Sequence, residues 1–181
     1  LDPVYGHKQD EPIGYVQGVA VSGRLRLKQL DPTHNDPTQE ISAMVDFPNT
    51  DEGYNGNATK GKSIAALCWA EDLFEATGED KWKTLLLKAA DTYQETLPGE
   101  APTPCDPNFW CEDMFFMSAI LGRAHQLTGK STYADMLIKF LLDANVQQAD
   151  GLFWHSKSGP FCWGRGNGIG CMAYAETLTY L

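Results

Sequence analysis

The chain has 181 residues, of which 43% are hydrophobic and 21% charged, a composition typical of a globular domain with a substantial core. Its formal net charge of −10 argues against a nucleic-acid backbone as the partner, because phosphate binding requires clustered lysine and arginine. No apolar run approaches the roughly 20 residues that a membrane-spanning helix needs, so we expect neither a nucleic-acid nor a membrane partner.

The earliest structural pattern is "RLKQLDPTHNDPTQEI", in which proline and aspartate separate two helical stretches. Clearer copies follow in "LFEATGEDKW" and "AHQLTGKSTY", whose Thr-Gly pairs lie 51 residues apart. Because glycine often ends a helix in the left-handed conformation, each copy predicts a helix, a turn and an antiparallel return helix. The apolar positions of the two return helices are Trp82, Leu85, Leu86, Ala89, Ala90, Tyr93 and Leu97, and then Tyr133, Met136, Leu137, Phe140, Leu141 and Ala144.

The stretch "DMFFMSAILGRAHQL" between these copies is apolar nearly all round, which predicts a helix covered on every side. The return helices each keep one polar face. This alternation of inner and outer helices predicts an all-α array of hairpins, either a solenoid or a closed toroid, with the helix over 114–127 innermost. We predict about seven helices, which make three hairpins and the first helix of a fourth, in a single domain over 1–181.

Residues 147–166 are rich in glycine and aromatic side chains and predict a long loop with a short hairpin. The loop leads into "WGRGNGIG", residues 163–170, which has neither the dinucleotide-binding spacing nor the Gly-Lys-Ser/Thr of a P-loop. We interpret it as a glycine-rich turn that feeds a helix. The free N–H groups of that helix can hold an anion, with Arg165 as a fork for a carboxylate. The alternative is a plain turn with a solvent-exposed arginine.

Asp113 is the candidate general acid, because Trp110, Phe116 and Met117 surround it at helical spacing. Loss of solvation among such neighbours raises the pKa of a carboxyl group. In the alternative interpretation, Glu112 and Asp113 only complement the helix N-terminus.

His155, in "GLFWHS", could donate to an oxygen-rich ligand, although a lone histidine is more often structural. Trp110, Trp154 and Trp163 lie near these candidates in sequence, and sugar rings stack on such faces. The five cysteines form no C-x-x-C pair and no zinc-type spacing with the four histidines, so we expect no metal and no cofactor.

Together these residues resemble the unsaturated rhamnogalacturonyl hydrolases, glycoside hydrolase family 105, and more distantly the unsaturated glucuronyl hydrolases of family 88. The matching pieces are "FWCEDMFFMSAILGRAHQLTGKSTYADM", "DGLFWHS" and "WGRGNG", in the same order and spacing. The resemblance runs from about Gly61 to the end of the chain, and "GYVQGVAVSGRLRL" is only loosely similar. It implies the family's (α/α)6 toroid of six helical hairpins, of which this chain would be about the first half.

The resemblance also implies an activity on the 4,5-unsaturated uronic acid that polysaccharide lyases leave at a non-reducing end. Asp113 would be the general acid and base, which protonates C4 before water adds to C5, and the resulting hemiketal opens and releases the sugar. His155, Arg165 and Asn167 would contact this acidic oligosaccharide, and Trp163 would shape the pocket. We count Trp110 and Asn57 as further substrate-binding candidates.

Two positions depart from the family pattern. A second aspartate is usual shortly before a Gly-Lys pair, but "GYNGNATK" before Gly61 has Asn55 and Asn57 instead. At the position after "WGRGNG", where the family usually has a tryptophan, this chain has Ile169. A carbohydrate-binding relative that has lost turnover is therefore one alternative. Another is a different α/α-toroid sugar enzyme such as an epimerase, for which His125 is the candidate.

The two ends of the chain also carry an expectation. The sequence begins at Leu1, and "TLTYL" at its end lies inside an apolar helical pattern without a stop signal. We therefore expect this chain to be a piece of a longer protein.

Overall fold

A computed structural model describes residues 14–46 and 64–181. Within these ranges the chain forms seven α-helices and one short 3-10 helix, and its β-structure is limited to isolated bridges. The helices are α1 (Tyr15–Leu30), α2 (Thr38–Val45), the 3-10 helix (Ala65–Cys68), α3 (Trp69–Thr77), α4 (Asp80–Ala90), α5 (Cys111–Thr128), α6 (Ser131–Asp143) and α7 (Gly164–Tyr180). The predicted all-α class and the predicted order of hairpins are confirmed.

The chain divides into two compact units, Leu1–Ala89 and Ala90–Leu181. In the first unit, α1 packs on the 3-10 helix and on α3. Gly18 of α1 is buried at this contact, where a methyl group would lie 2.2 Å from the Ala66 carbonyl oxygen. A polar bond ties the same helices together, because the buried Asp72 accepts from the Ser22 hydroxyl at 2.5 Å. The glycine thus permits a closer approach of two helices than any other residue would.

The two Thr-Gly turns have the same geometry, which explains the repeat in the sequence. Gly78 and Gly129 both adopt the left-handed conformation, with φ of 69° and 67°. The preceding threonine hydroxyls donate to a carbonyl one turn earlier, Thr77 to Leu73 at 2.7 Å and Thr128 to Ala124 at 2.6 Å. The predicted helix–turn–helix units are therefore confirmed at both copies.

The first return helix is shorter than its apolar pattern predicts. α4 ends at Ala90, so Tyr93 and Leu97 lie beyond it. The Tyr93 N–H donates to the Ala90 carbonyl at 3.1 Å, a tight turn that closes the helix. Tyr93 uses its ring elsewhere, since its hydroxyl donates to the Phe116 carbonyl, and Leu97 is 59% exposed. The prediction that these two residues belong to the return helix is therefore wrong.

In the second unit, α5 packs against both α6 and α7. Every residue of α5 from Cys111 to Ala124 is buried, as predicted for a helix covered on all sides. α6 buries one face, for example Tyr133 and Leu137, and exposes Leu142 on the other. The predicted difference between the covered helix and its return helix is confirmed.

Three contacts show that α5 and α7 run parallel. Cys111 lies beside Gly166 near the start of each helix, and a methyl group at Gly166 would be 2.9 Å from the Cys111 sulfur. Near the other end, Gly122 packs against the Tyr180 ring, and the buried Arg123 pairs with Glu176. The N-terminal ends of α5 and α7 therefore lie side by side.

None of the helices in the described ranges has the length and apolarity needed to cross a membrane. Within the same ranges, no group of three or more histidine, cysteine, aspartate or glutamate side chains is arranged to hold a metal ion. The five cysteines are present as thiols.

Candidate active site at the N-terminal ends of two helices

The loop between α6 and α7 is fastened to the first turns of α5 and α7. The Cys111 N–H donates to the His155 carbonyl at 2.9 Å, which docks the loop on α5. Asn167 docks it on α7, because its amide group donates to the Phe153 and Trp163 carbonyls at 3.2 and 3.1 Å and accepts from the Phe153 N–H at 2.8 Å. Both donors of the Asn167 amide are used within the loop, so this side chain positions the site.

His155 lies among three aromatic rings. The Phe161 ring stacks on it at 5.3 Å between centroids, with 8° between the planes. The Trp110 and Trp163 rings lie at 5.6 and 5.5 Å, both tilted. His155 is half-buried, and Trp110 and Phe161 are exposed. The predicted residues His155, Trp110 and Trp163 thus come together in a partly open aromatic cluster.

Arg165 extends from the first turn of α7 across the face of Trp163, with its guanidinium carbon 4.1 Å from the ring centroid. A cation at this position opposes the helix dipole, and the first turn of α7 holds no acidic residue. The side chain is 56% exposed. A cation at a helix start goes against the local preference, and such a departure is typical of functional sites. An exposed guanidinium beside the N-terminal end of a helix can bind an anion.

Glu112 is the acidic partner of Arg165. Its Oε1 lies 3.6 Å from Nη2 of Arg165, and its Oε2 accepts from the Cys111 thiol at 3.3 Å. The Glu112 side chain is only 4% exposed. From the sequence alone Glu112 is only a helix-end charge, because nothing in the spacing along the chain connects it to Arg165.

Asp113 is buried one residue further along α5 and caps the start of this helix. Its Oδ2 accepts from the Trp110 N–H at 3.0 Å and its Oδ1 from the Cys105 N–H at 3.1 Å. Burial raises the pKa of Asp113 to about 7, and the backbone N–H groups act in the opposite direction. The predicted rise in pKa is confirmed, and the carboxyl group also complements the helix end as the alternative interpretation had it.

The glycines of "WGRGNGIG" lie within α7, so the predicted turn over this stretch is wrong. Gly166 and Gly170 face neighbouring side chains, since methyl groups there would lie 2.3 Å from Nε1 of Trp163 and 3.0 Å from the Phe153 ring. Gly164 and Gly168 face open space. Gly166 and Gly170 lie one turn apart on α7, and their lack of side chains therefore allows the loop to pack closely on this helix.

Two sequence candidates lie elsewhere. Asn57, with Asn55 and the Gly61-Lys62 pair, falls outside the described residues. His125 is near the C-terminal end of α5, where its Nδ1 is 3.0 Å from the Lys130 carbonyl, and it does not join the cluster at the start of that helix. Phe161 is a ring that sequence reasoning missed, although it belongs to the aromatic-rich stretch that follows His155.

Neither a protein-family model nor a curated protein matches the sequence. Among solved structures, the chain is similar to a family 105 glycoside hydrolase from C. acetobutylicum ATCC 824, with a TM-score of 0.75 and 19% identity over 93% of this chain and 54% of that one. It is also similar to a polysaccharide lyase, with a TM-score of 0.56 and 13% identity over 92% of this chain and 60% of that one. At these identities the likeness establishes the fold: the chain has the fold of this family 105 glycoside hydrolase and spans about half of its length.

Proposed function

We propose that the protein is a glycoside hydrolase that hydrates the double bond of a 4,5-unsaturated uronic acid at the end of an oligosaccharide. The observation that carries this proposal is that a buried acid of α5 and an exposed cation of α7 lie on the first turns of two helices whose starts are side by side. Asp113 has a pKa of about 7, and Arg165 lies over Trp163 with most of its side chain open to solvent. The likeness in fold to a glycoside hydrolase and to a polysaccharide lyase supports a carbohydrate substrate.

Asp113 is the proton donor in this proposal. A carboxyl group with a pKa of about 7 is substantially protonated at neutral pH, as a general acid must be. It transfers its proton to C4, and the ring oxygen stabilises the positive charge that develops at C5. Water then adds to C5 and returns a proton to the Asp113 carboxylate. The hemiketal at C5 opens, and the sugar at C1 leaves.

Arg165 binds the carboxylate on C5 of the sugar. In the described parts of the chain its contacts are the Trp163 ring and one oxygen of Glu112, so several N–H donors remain for an anion. His155, Trp110 and Trp163 form the surface on which the sugar ring stacks. Asn167 keeps the loop in place. Asn167 and Asn57 both remain proposed substrate contacts.

One observation favours a second candidate, a carbohydrate-binding relative without turnover. Both carboxyl oxygens of Asp113 accept hydrogen bonds from backbone N–H groups, as they would in a purely structural cap. In this alternative the aromatic cluster and Arg165 still bind an acidic sugar, but no proton reaches C4.

The loss of the double-bond absorbance of a lyase-generated oligosaccharide separates the two candidates. We expect the intact protein to remove this absorbance and Asp113→Asn to lower turnover by about 10²–10⁴-fold, since general acid–base catalysis contributes that much. Calorimetry should show that Asp113→Asn still binds the sugar. Binding without any loss of absorbance by the intact protein would establish the second candidate instead.

A further inference from the structure

We propose that Glu112 is a positioning residue, which holds the Arg165 guanidinium over the Trp163 ring so that its outer edge can receive the carboxylate of the ligand. The inference rests on the proposed function only in taking an acidic sugar as the ligand. It assigns a role to the carboxyl group that the sequence pattern left as a helix-end charge.

The geometry places Glu112 behind Arg165. The Glu112 side chain is 4% exposed and the Arg165 side chain 56% exposed, and Oε1 of Glu112 lies 3.6 Å from one terminal nitrogen of Arg165. The carboxylate thus contacts the inner side of the guanidinium, while the ring of Trp163 lies against its face at 4.1 Å. The outer edge of the guanidinium remains the side that a ligand can reach.

Glu112 is itself held in place by packing. Its second oxygen accepts from the Cys111 thiol at 3.3 Å, and Cys111 is fully buried beside Gly166 of α7. A fixed carboxylate can therefore restrict an arginine that would otherwise sample many rotamers in solvent. Ordering one such side chain before binding changes affinity by about 2- to 10-fold.

Asp113 cannot take this role, because its two oxygens are bonded to the backbone of Cys105 and Trp110. Two adjacent residues of α5 thus have different partners. Asp113 accepts from the segment that precedes the helix, and Glu112 pairs with Arg165 of α7. Glu112 acts through Arg165 and does not need to touch the ligand.

The test is a double-mutant cycle on the intact protein with Glu112→Gln, Arg165→Met and the double variant. The probe is a saturated uronyl disaccharide, which has no double bond to hydrate, and the control ligand is its neutral methyl ester. Calorimetry should show that Glu112→Gln weakens binding of the acid by about 2- to 10-fold and leaves the ester unchanged. In the Arg165→Met background, Glu112→Gln should have no effect on either ligand.

Three results would overturn the proposal: equal losses with and without Arg165, an equal loss for acid and ester, or tighter binding of the acid by Glu112→Gln. The last would mean that Glu112 competes with the ligand for Arg165. Because Glu112 is buried, Glu112→Asp is a second variant that keeps the charge but withdraws it from Arg165, and it should reproduce the Arg165-dependent loss. If the acid binds with this coupling but the unsaturated sugar is not turned over, the proposed reaction fails and the positioning role stands.

Discussion

Asp113 is subject to two opposing influences whose balance can be measured. Removal from water favours the neutral carboxyl group, and the N–H groups of Trp110 and Cys105 favour the carboxylate. Burial dominates, so the folded protein takes up a proton on this group at a higher pH than the unfolded chain does. The stability of the fold must therefore depend on pH through this residue.

We expect Asp113→Asn to gain stability relative to the wild-type protein as the pH rises from about 4 to about 7. The pKa of Asp113 is near 3.9 in the unfolded chain and about 7 in the folded protein, so the folded state binds more protons in this range and the wild-type protein loses stability as it ionises. This pKa difference changes the free energy of unfolding of the wild-type protein by at most about 4 kcal/mol over this range. Urea denaturation of both proteins at pH 4.5 and pH 8 measures the change.

The comparison between the two pH values is the control, because contributions from other groups cancel between variant and wild type. At pH 4.5 the asparagine variant should have a free energy of unfolding about 1 kcal/mol lower than the wild-type protein. Its amide accepts a hydrogen bond from one backbone N–H, whereas the carboxyl group accepts from two. A stability difference that stays constant from pH 4.5 to pH 8 would show that the pKa of Asp113 is not raised in the folded protein.

Short motifs in the sequence indicate some residues of the candidate site and miss others. His155, Trp110, Trp163 and Arg165 lie together as expected, because the loop that carries His155 is fastened to the helix starts that carry the other three. Glu112 and Phe161 could not be found in this way, since each is defined by a partner more than one turn away in the chain. The sequence next to Glu112 does not point to its partner Arg165, and the aromatic-rich stretch around Phe161 does not show which of its rings stacks on His155.

At the level of elements, the helices were predictable wherever turn chemistry and apolar spacing agreed. Both Thr-Gly turns meet this condition, as Gly78 and Gly129 adopt the conformation that their position requires. Around Tyr93 and Leu97 the spacing was helical but the chain leaves the helix at Ala90. In "WGRGNGIG" the opposite error arose, because the glycines predicted a turn and packing against the loop selects a helix.

Close helix packing in the first unit predicts that Gly18→Ala is destabilising. A methyl group at Gly18 would lie 2.2 Å from the Ala66 carbonyl oxygen, which is backbone and can move only with the 3-10 helix. Such overpacking typically costs about 1–3 kcal/mol. Thermal unfolding monitored by circular dichroism should show a lower melting temperature.

Gly23 of the same helix provides the matched control for Gly18. No atom lies within 4 Å of a methyl group there, so Gly23→Ala should stabilise α1 by about 0.5–1 kcal/mol through helix propensity alone. If the two alanine variants had equal melting temperatures, the close contact between α1 and the 3-10 helix would be refuted.

The start of α7 allows the same comparison at the candidate site. Gly166→Ala would place a methyl group 2.3 Å from Nε1 of Trp163, and it should displace the Trp163 ring and weaken sugar binding. Gly168→Ala meets no atom within 4 Å, so it should raise stability and leave binding unchanged. Tryptophan fluorescence and titration with a saturated uronyl disaccharide report both effects. Equal binding by the two variants would argue that the ring of Trp163 is not part of the ligand surface.

At the scale of the whole molecule, the fold could be predicted because it repeats. The two Thr-Gly turns lie 51 residues apart in the chain. The solved family 105 hydrolase shares the fold over 93% of this chain. The chain covers 54% of that structure, so the activity of the whole protein stays a proposal. Because the net charge is −10, the acidic sugar of the proposed function would have to be bound by local groups such as Arg165 against a repulsive field.

The most direct measurement is the fate of C4 when the intact protein acts on the unsaturated oligosaccharide in deuterium oxide. If Asp113 delivers a solvent-derived proton to C4 before water adds to C5, early proton NMR spectra should show one deuterium on one face of C4 while the double bond disappears. Asp113→Asn should abolish this labelling without abolishing binding. Release of the sugar with the double bond intact and no deuterium at C4 would contradict the account, because the bond would then have been cleaved directly at C1.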